Sequence, residues 1–111
     1  MTFKRLCSLD DVWEGEMDVF ELDGHEILVC GVEGGEVRAF QAVCPHQDIP
    51  LVEGKFDGKR LICRAHQWVF DAATGIGINP GDCKLACYPI KIVDGEVYVD
   101  TAGVTPCYAH T

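Results

Sequence analysis

Cys44-Pro45-His46 and Cys63-Arg64-Ala65-His66, with sixteen residues between them, are the two stretches that decide how this chain folds. Each stretch offers one thiolate and one imidazole, which are ligands that transition metals prefer. A metal bound by both stretches would hold two distant parts of the chain together. The sequence therefore predicts a metal centre with four ligands from two loops: Cys44, His46, Cys63 and His66.

Two kinds of metal centre accept two Cys and two His. Structural zinc sites usually keep the two Cys together and the two His together, whereas each stretch of this chain is mixed. A [2Fe-2S] cluster with the same ligand set binds one iron through two Cys and the other through two His. Two loops with one Cys and one His each can then give a ligand to both irons. The spacing favours the cluster, and a zinc-stabilised binding module is the alternative from another class.

The pattern C-x-H, sixteen residues and C-x-x-H resembles the ligand motif of the Rieske proteins. Within that family, the chain is most similar to the small Rieske ferredoxins of multicomponent aromatic oxygenases, above all to the ferredoxin of toluene monooxygenases. The stretches that carry this resemblance are residues 7–11, 41–47, 63–66 and 77–80.

The resemblance implies an all-β Rieske fold. Its base is a small antiparallel barrel or sandwich, and a cluster-binding subdomain with two ligand loops is inserted between the strands of that base. We expect a single Rieske domain over residues 1–111, with the subdomain at about residues 42–84. The resemblance also implies one Rieske-type [2Fe-2S] cluster, bound by Cys44, His46, Cys63 and His66.

The implied function is electron transfer. A ferredoxin of this type takes single electrons from an NADH-dependent flavin and iron-sulfur reductase and passes them to a diiron hydroxylase that oxygenates an aromatic hydrocarbon. The chain would not be an enzyme itself, and no set of nucleophile, base and orienting residue competes with the cluster as a chemical site. The alternative within this class is that the chain carries electrons in another system, as the ferredoxin of a ring-hydroxylating dioxygenase or as the small subunit of a nitrite reductase.

Four positions around the motifs predict the redox potential. Two ferric ions, two sulfides, two thiolates and two neutral imidazoles carry no net charge, and Rieske potentials span roughly −150 to +300 mV. High-potential relatives have a disulfide pair where this chain has Ile49 and Ala65, and hydroxyl donors where it has Trp68 and Phe70. Without those donors the added electron is less stabilised, so we expect a potential near the low end of the range.

Composition and charge exclude several functions. A length of 111 residues suits one domain. The net charge of −9 argues against nucleic acid as a partner. The charge either solvates the surface or steers the chain to a basic patch on a redox partner.

No apolar run is long enough to cross a bilayer, and no signal-peptide stretch follows Lys4-Arg5. We therefore expect a cytoplasmic protein with no membrane partner.

Seven cysteines in a reducing compartment suit thiolate ligation better than a disulfide framework. Cys83 and Cys87 form a C-x3-C pair that could bind a metal or form a disulfide. The other three outside the motifs, Cys7, Cys30 and Cys107, are predicted to be core or surface thiols. His25 and His110 are predicted to have structural or exposed roles.

Apolar alternation and turn signals predict short antiparallel strands. The turns are expected at Asp23-Gly24, Asp57-Gly58 and Asp94-Gly95. Ser8 and Asp11 predict a capped helical turn that ends near Trp13. The strands are expected at residues 16–22, 25–32, 36–43, 59–63, 68–70, 88–93 and 96–100.

Overall fold

The computed structural model describes residues 3–32, 36–43, 50–63, 68–79, 84–101 and 104. In that part of the chain, the regular elements are eleven β-strands and two short 3-10 turns, at Leu9–Asp11 and Leu51–Glu53. The strands are β1 Lys4–Ser8, β2 Met17–Leu22, β3 His25–Val32, β4 Glu36–Gln41, β5 Lys55–Phe56, β6 Arg60–Ile62, β7 Val69–Asp71, β8 Gly77–Asn79, β9 Cys87–Tyr88, β10 Ile90–Val93 and β11 Glu96–Val99.

Two antiparallel sheets form the base of the molecule, with strand orders β2-β3-β4-β9 and β1-β11-β10. The hairpin β2-β3 turns at Asp23 and Gly24, whose φ angles are +53° and +80°. The hairpin β10-β11 turns in the same way at Asp94 and Gly95, with φ angles of +51° and +77°. Two successive positive φ angles match the twist of the flanking strands, so the hairpins predicted from Asp-Gly are confirmed.

A third antiparallel sheet, with the order β5-β6-β7-β8, lies in the chain between β4 and β9. Those two strands pair with each other, Ala39 with Tyr88 and Phe40 with Cys87. The third sheet is therefore inserted between two neighbouring strands of the base. The all-β Rieske fold is confirmed as open antiparallel sheets; the described strands do not close into a barrel. The predicted limits of the subdomain stay a prediction.

Strand β3 separates two hydrophobic cores because its successive side chains point to opposite faces. Its residues 28, 30 and 32 pack into what we call the loop-side core, whereas Ile27 and Val29 pack into the base core. The loop-side core consists of Leu28, Cys30, Val32, Phe40, Ala42, Leu51, Leu61, Cys63, Phe70, Ala72 and Leu85. The base core consists of Cys7, Val12, Ile27, Val29, Val37, Ala39, Tyr88, Val97 and Val99.

The predicted strand at 88–93 is wrong as one element, because the chain changes sheet at Pro89. Tyr88 pairs with β4, whereas Ile90 pairs with Val99 of β11. A proline has no N–H to donate to a ladder and is therefore favoured where a strand leaves one sheet. The Pro89 carbonyl still accepts a hydrogen bond from the N–H of Asp100 at 3.2 Å.

Other strand boundaries also differ from the prediction. Strand β4 ends at Gln41, two residues earlier than expected. The short strands β1, β5 and β8 were missed. The turn at Leu9–Asp11 is confirmed, since Ser8 accepts from the N–H of Asp10 and Asp11 accepts from the N–H of Ser8. No helix in the described part of the chain combines the length and apolar character needed to span a membrane.

Candidate metal centre

The structure describes one of the four predicted ligands. Cys63 follows β6 directly and is 0% exposed. Cys44, His46 and His66 lie outside the described residues, so their assignment stays a prediction. The geometry of the centre is therefore seen in the chain segments that enter and leave the two predicted loops.

The first predicted loop, residues 44–49, has its two ends held side by side. Val43 and Pro50 form an antiparallel bridge across it. One residue further out on each side, the N–H of Leu51 donates to the carbonyl of Ala42 at 2.9 Å. The pairing of these flanking residues agrees with the prediction that Cys44 and His46 lie on one loop.

The second predicted loop, residues 64–67, joins β6 to β7. The N–H of Cys63 donates to the carbonyl of Trp68 at 2.8 Å, and Ile62 pairs with Val69 in the adjoining ladder. These bonds pair the residues on either side of the predicted loop, and the four residues between them are a common length for the connection of antiparallel neighbours.

Both loops begin and end on the same hydrophobic core. Ala42 and Leu51 flank the first loop, Cys63 begins the second, and all three are buried in the loop-side core. Trp68, at the far end of the second loop, packs against that core. Shared packing fixes the ends of the two loops relative to each other, as a single centre ligated by both loops requires.

A direct contact also joins the two segments. Gly54 closes the 3-10 turn after the first loop, where its N–H donates to the carbonyl of Leu51 at 2.9 Å. A Cβ at position 54 would overlap the carbonyl oxygen of Ile62, the residue before Cys63. Glycine is therefore what lets this turn lie against β6.

The surroundings of Cys63 suit an iron-sulfur cluster. Side chains two apart on a strand share a face, so Leu61 and Cys63 point the same way, as do Trp68 and Phe70 on the paired strand. Leu61, Cys63 and Phe70 are 0% exposed. A soft sulfur donor in a core that excludes water is the donor chemistry such a cluster takes, and the lack of a hydroxyl at positions 68 and 70 bears on its potential.

Two other cysteines are buried as ordinary thiols. Burial raises the pKa of the Cys30 thiol to about 12. Burial, and then the negative charge of Asp11, raise the pKa of the Cys7 thiol to about 11. Both therefore stay protonated at neutral pH and act as apolar core residues.

The remaining candidates from the sequence have local partners or lie outside the described residues. Cys87 is exposed, and its thiol donates to the Thr74 carbonyl at 3.4 Å. Cys83, Cys107 and His110 are not among the described residues, so the C-x3-C prediction stays untested. His25 Nδ1 lies 3.2 Å from the Tyr88 hydroxyl, and the two rings meet edge to face with centroids 5.9 Å apart. That contact is a structural role.

Sequence reasoning gave no role to Gln41, the first residue of the stretch 41–47; it is 1% exposed at the end of β4. Its amide Nε2 donates to the carbonyl of Val43 at 2.8 Å, and its Oε1 accepts from the N–H of Ala86 at 2.8 Å. A polar amide three residues before Cys44, in an otherwise apolar strand end, was the available signal.

The domain is all-β, and the residues flanking its two predicted ligand loops pack on one core. Each loop has one Cys and one His in its sequence. These features define the class of small iron-sulfur carriers with mixed ligands. The chain belongs to the Rieske family, since the model of the Rieske [2Fe-2S] domain matches residues 2–89. One Rieske-type [2Fe-2S] cluster is accordingly its cofactor, as predicted, and the zinc alternative is not retained.

The chain is similar to known ferredoxins over most of its length. It is 45% identical over 98 residues to the ferredoxin component of the alkene monooxygenase system of Xanthobacter autotrophicus strain Py2, covering 86% of this chain and 79% of that one. The solved ferredoxin of Sphingomonas yanoikuyae B1 superposes with a TM-score of 0.81 at 31% identity, covering 90% of this chain and 99% of that one.

A third likeness is to the ferredoxin in a solved complex of reduced oxygenase and oxidised ferredoxin of carbazole 1,9a-dioxygenase. It has a TM-score of 0.78 at 27% identity and covers 87% of this chain and 91% of that one. These relatives are ferredoxins of oxygenase systems, or ferredoxins by name. The prediction of a Rieske ferredoxin that carries electrons and is not itself an enzyme is confirmed.

Proposed function

We propose that this ferredoxin carries single electrons from an NADH-dependent flavin and iron-sulfur reductase to the diiron hydroxylase of a multicomponent monooxygenase. The hydroxylase would oxygenate a hydrocarbon, for which the sequence favours an aromatic compound of the toluene type. The observation that carries the proposal is that residues flanking both predicted ligand loops pack on one core that contains Cys63. The likeness to a monooxygenase ferredoxin at 45% identity supports the class of acceptor.

We assign Cys44, His46, Cys63 and His66 as the four cluster ligands. The bridge between Val43 and Pro50 supports a shared loop for the first two. The bond from Cys63 to Trp68 supports a shared loop for the other two. Each loop would then give one sulfur and one nitrogen, so neither iron depends on a single loop.

The cluster, when bound, accepts and releases one electron at a time. The residues of this chain adjust that chemistry from two sides. Leu61 and Phe70, both 0% exposed, exclude water from the face that Cys63 shares. Because Phe70 and Trp68 bring no hydroxyl donor, the reduced state gains no hydrogen bond from them, which favours a potential at the low end of the Rieske range.

Charge guides the proposed encounter with both partners. The chain carries eighteen acidic and nine basic residues. Three of the basic residues are engaged in ion pairs on the described surface: Lys4 with Asp23, Arg5 with Glu96 and Arg38 with Glu36. A partner with a basic docking patch would be attracted, whereas nucleic acid would be repelled. Cys7, Cys30 and Cys87, which are neither assigned ligands nor in a disulfide, fit a reducing, cytoplasmic location.

A second candidate function has its own support. The likeness to the carbazole 1,9a-dioxygenase ferredoxin favours an acceptor that is a ring-hydroxylating dioxygenase instead of a diiron hydroxylase. NADH-driven turnover with purified components separates the two. The proposal expects product with a diiron hydroxylase and none with a dioxygenase oxygenase, and the reverse result would overturn it in favour of the dioxygenase.

The ligand assignment is tested by replacing His with Cys at three positions. His46→Cys and His66→Cys each add a thiolate to the cluster, so we expect a changed visible spectrum and a lower potential. His25→Cys is the matched control, because His25 contacts Tyr88 and is not an assigned ligand. An unchanged spectrum and potential in either of the first two variants would show that the assignment is wrong.

A further inference from the structure

Gln41 is a buried polar side chain with no part in the predicted ligand set. Only 1% of it is exposed, and the other buried polar or charged residue in the described part of the chain is Asp100. Burying an amide is unfavourable unless its donor and acceptor atoms are both bonded. Two of its bonds, to residues in the described part of the chain, indicate what the side chain holds.

Of the two groups that the Gln41 side chain binds at 2.8 Å, one is a hydrogen-bond acceptor and the other is a donor. The Val43 carbonyl needs a donor and the Ala86 N–H needs an acceptor, and Gln41 serves them with Nε2 and Oε1 at 2.8 Å each. This pairing also fixes the orientation of the amide, because a flipped group would face donor to donor and acceptor to acceptor. An apolar side chain of the same length can replace neither bond.

The Val43 carbonyl lies at the start of the first predicted ligand loop, whereas Ala86 lies in the segment that leads into β9. The Val43 carbonyl belongs to the peptide group that leads into residue 44, and a planar peptide transmits the direction of its carbonyl across the C–N bond. Ala86 follows the segment 80–83 and comes just before β9. The amide thus ties the start of the first predicted ligand loop to the chain returning from the third sheet, over a separation of 45 residues in the sequence.

The backbone of Gln41 is rigidly held, so the side chain acts from a fixed point. Its N–H donates to the Ala86 carbonyl at 3.0 Å, and the residue pairs with Ile27 of β3. Strand β4 has neighbours on both sides, β3 and β9. A side chain whose backbone is bonded on both sides, to β3 and to Ala86, can hold a loop end to within the tolerance that metal ligation needs.

We propose that Gln41 is a positioning residue for the cluster: its buried amide holds the peptide group before Cys44 and thereby sets where the first ligand loop presents its thiolate. The inference rests on the proposed assignment of Cys44 as a ligand. Removal of the amide takes its donor from the Val43 carbonyl, so the loop end keeps the bridge between Val43 and Pro50 but loses its tie to Gln41.

Gln41→Met is the principal test, because methionine has a similar length and no strong hydrogen-bonding atom. Outer partners of metal ligands typically contribute about 10-fold to 100-fold in affinity. We expect loss of iron to a chelator to be about tenfold faster than in the unsubstituted protein, with a changed electron paramagnetic resonance line shape of the reduced cluster. Gln41→Asn is the second variant: it is one methylene shorter, can reach one of the two partners at most, and should lie between Gln and Met.

Val29→Ala is the matched control. Val29 is 0% exposed on the neighbouring strand β3, but it packs in the base core, away from the ends of the loops. The control should lower thermal stability without changing the line shape or the rate of iron loss at a temperature well below unfolding. Equal effects of Val29→Ala and Gln41→Met would overturn the inference, because Gln41 would then contribute stability alone.

Cys44→Ser separates failure of the inference from failure of the ligand assignment. If Cys44→Ser loses the cluster while both Gln41 variants keep the original line shape and iron retention, the positioning role is wrong and the ligand assignment stands. If Cys44→Ser keeps an unchanged cluster, the ligand assignment fails and the inference fails with it. Faster iron loss in the Gln41 variants, together with cluster loss in Cys44→Ser, supports both.

Discussion

The backbone N–H of Cys63 donates to the carbonyl of Trp68 at 2.8 Å, so one hydrogen bond joins the predicted ligand to the residue that ends its loop. The bond lies one pair beyond the ladder of β6 and β7, which ends at Ile62 and Val69, and places Trp68 opposite Cys63. Trp68 and Cys63 then face the same core. Changes on this face should alter the cluster, and changes in the base should not.

Gly54→Ala should disturb the relation between the two loops. Its Cβ would overlap the carbonyl of Ile62, the residue before Cys63, so the 3-10 turn after the first loop has to move away from β6. We expect a loss of about 2 kcal/mol in the free energy of unfolding, as for an overpacked site. Because the loops separate, the line shape of the reduced cluster in electron paramagnetic resonance should also change.

Gly31→Ala is the control for that prediction. Its Cβ would overlap the carbonyl of Trp13, so the backbone clash is of the same kind but lies in the base. This variant should lose comparable stability in thermal unfolding and keep the original line shape. If Gly31→Ala changes the line shape as much as Gly54→Ala does, the contact between Gly54 and Ile62 has no special part in placing the loops.

Phe70→Tyr should raise the redox potential. Phe70 is 0% exposed on the inward face of β7. The family resemblance implies that a hydroxyl donor at this place raises the potential. A hydrogen bond to a charged group contributes about 1.5 to 3 kcal/mol, which for one electron is on the order of 60 to 130 mV. Potentiometric titration followed by the visible spectrum measures the shift. Leu61→Met is the control, because it is a change of similar size on the paired strand. It should leave the potential within a few tens of mV of the original value. An unchanged potential in Phe70→Tyr would contradict the predicted role of position 70.

Stability should fall at alkaline pH through Cys7. Burial raises the pKa of this thiol from 9.0 to about 11 in the folded protein. Below the unfolded pKa both states hold the proton and the full stability is present. Between the two pKa values the unfolded chain releases its proton first, so stability falls by about 1.4 kcal/mol per pH unit until the folded pKa is passed.

Cys7→Ala removes this contribution. Denaturant unfolding from about pH 8 to about pH 11 should show a shallower decline for Cys7→Ala than for the unsubstituted protein, by the slope of one ionising group. Cys87→Ala is the control, because the thiol of Cys87 is exposed and carries no such burial. A decline that Cys7→Ala leaves unchanged would mean that other groups cause the alkaline loss.

Association with the reductase should depend on salt and on acidic residues near the first loop. Glu26 is exposed and lines a recess together with Val43, whereas Asp94 lies on the turn between β10 and β11, in the other sheet of the base. Steering by charge weakens as the Debye length falls from about 10 Å at 0.1 M salt to about 3 Å at 1 M. We expect the rate constant for reduction, measured by stopped flow, to fall about tenfold over that range.

Single neutralised charges locate the effect. Glu26→Gln should lower the rate about twofold at low salt and lessen the salt dependence, while Asp94→Asn, with the same change in net charge, should have a smaller effect. Glu26→Gln should also be slightly more stable, because Glu26 faces Glu21 directly across β2 and β3 and like charges there repel. Equal effects of both variants would mean that net charge alone acts, without a preferred docking side.

Local chemistry made several elements predictable. The turns at Asp23-Gly24 and Asp94-Gly95 follow from residues that tolerate positive φ. The cap at Ser8 and Asp11 follows from side chains that bond the nearest free N–H groups. The break at Pro89 was missed, because which sheet a strand joins is decided by distant partners, β4 for Tyr88 and β11 for Ile90.

The class of cofactor could be predicted from the sequence, because metal binding depends on the type and spacing of the ligands. Residues 44–66 show both. The family assignment agrees with that prediction. How the ends of the two loops are held was not readable. The packing of Ala42, Leu51 and Cys63 in one core, and the contact of Gly54 with Ile62, join segments that only folding brings together.

By itself, then, the sequence determined the ligand set to expect, the all-β class, the acidic surface and the tight turns, since each of these depends on residue types at short spacing. The tertiary structure alone decided where strands change sheets, which face of β3 meets which core, and that Gln41 binds Val43 and Ala86. Those features are contacts between parts of the chain that are far apart in the sequence, 45 residues in the case of Gln41 and Ala86. Their energies depend on mutual burial and hydrogen bonding that no local pattern encodes.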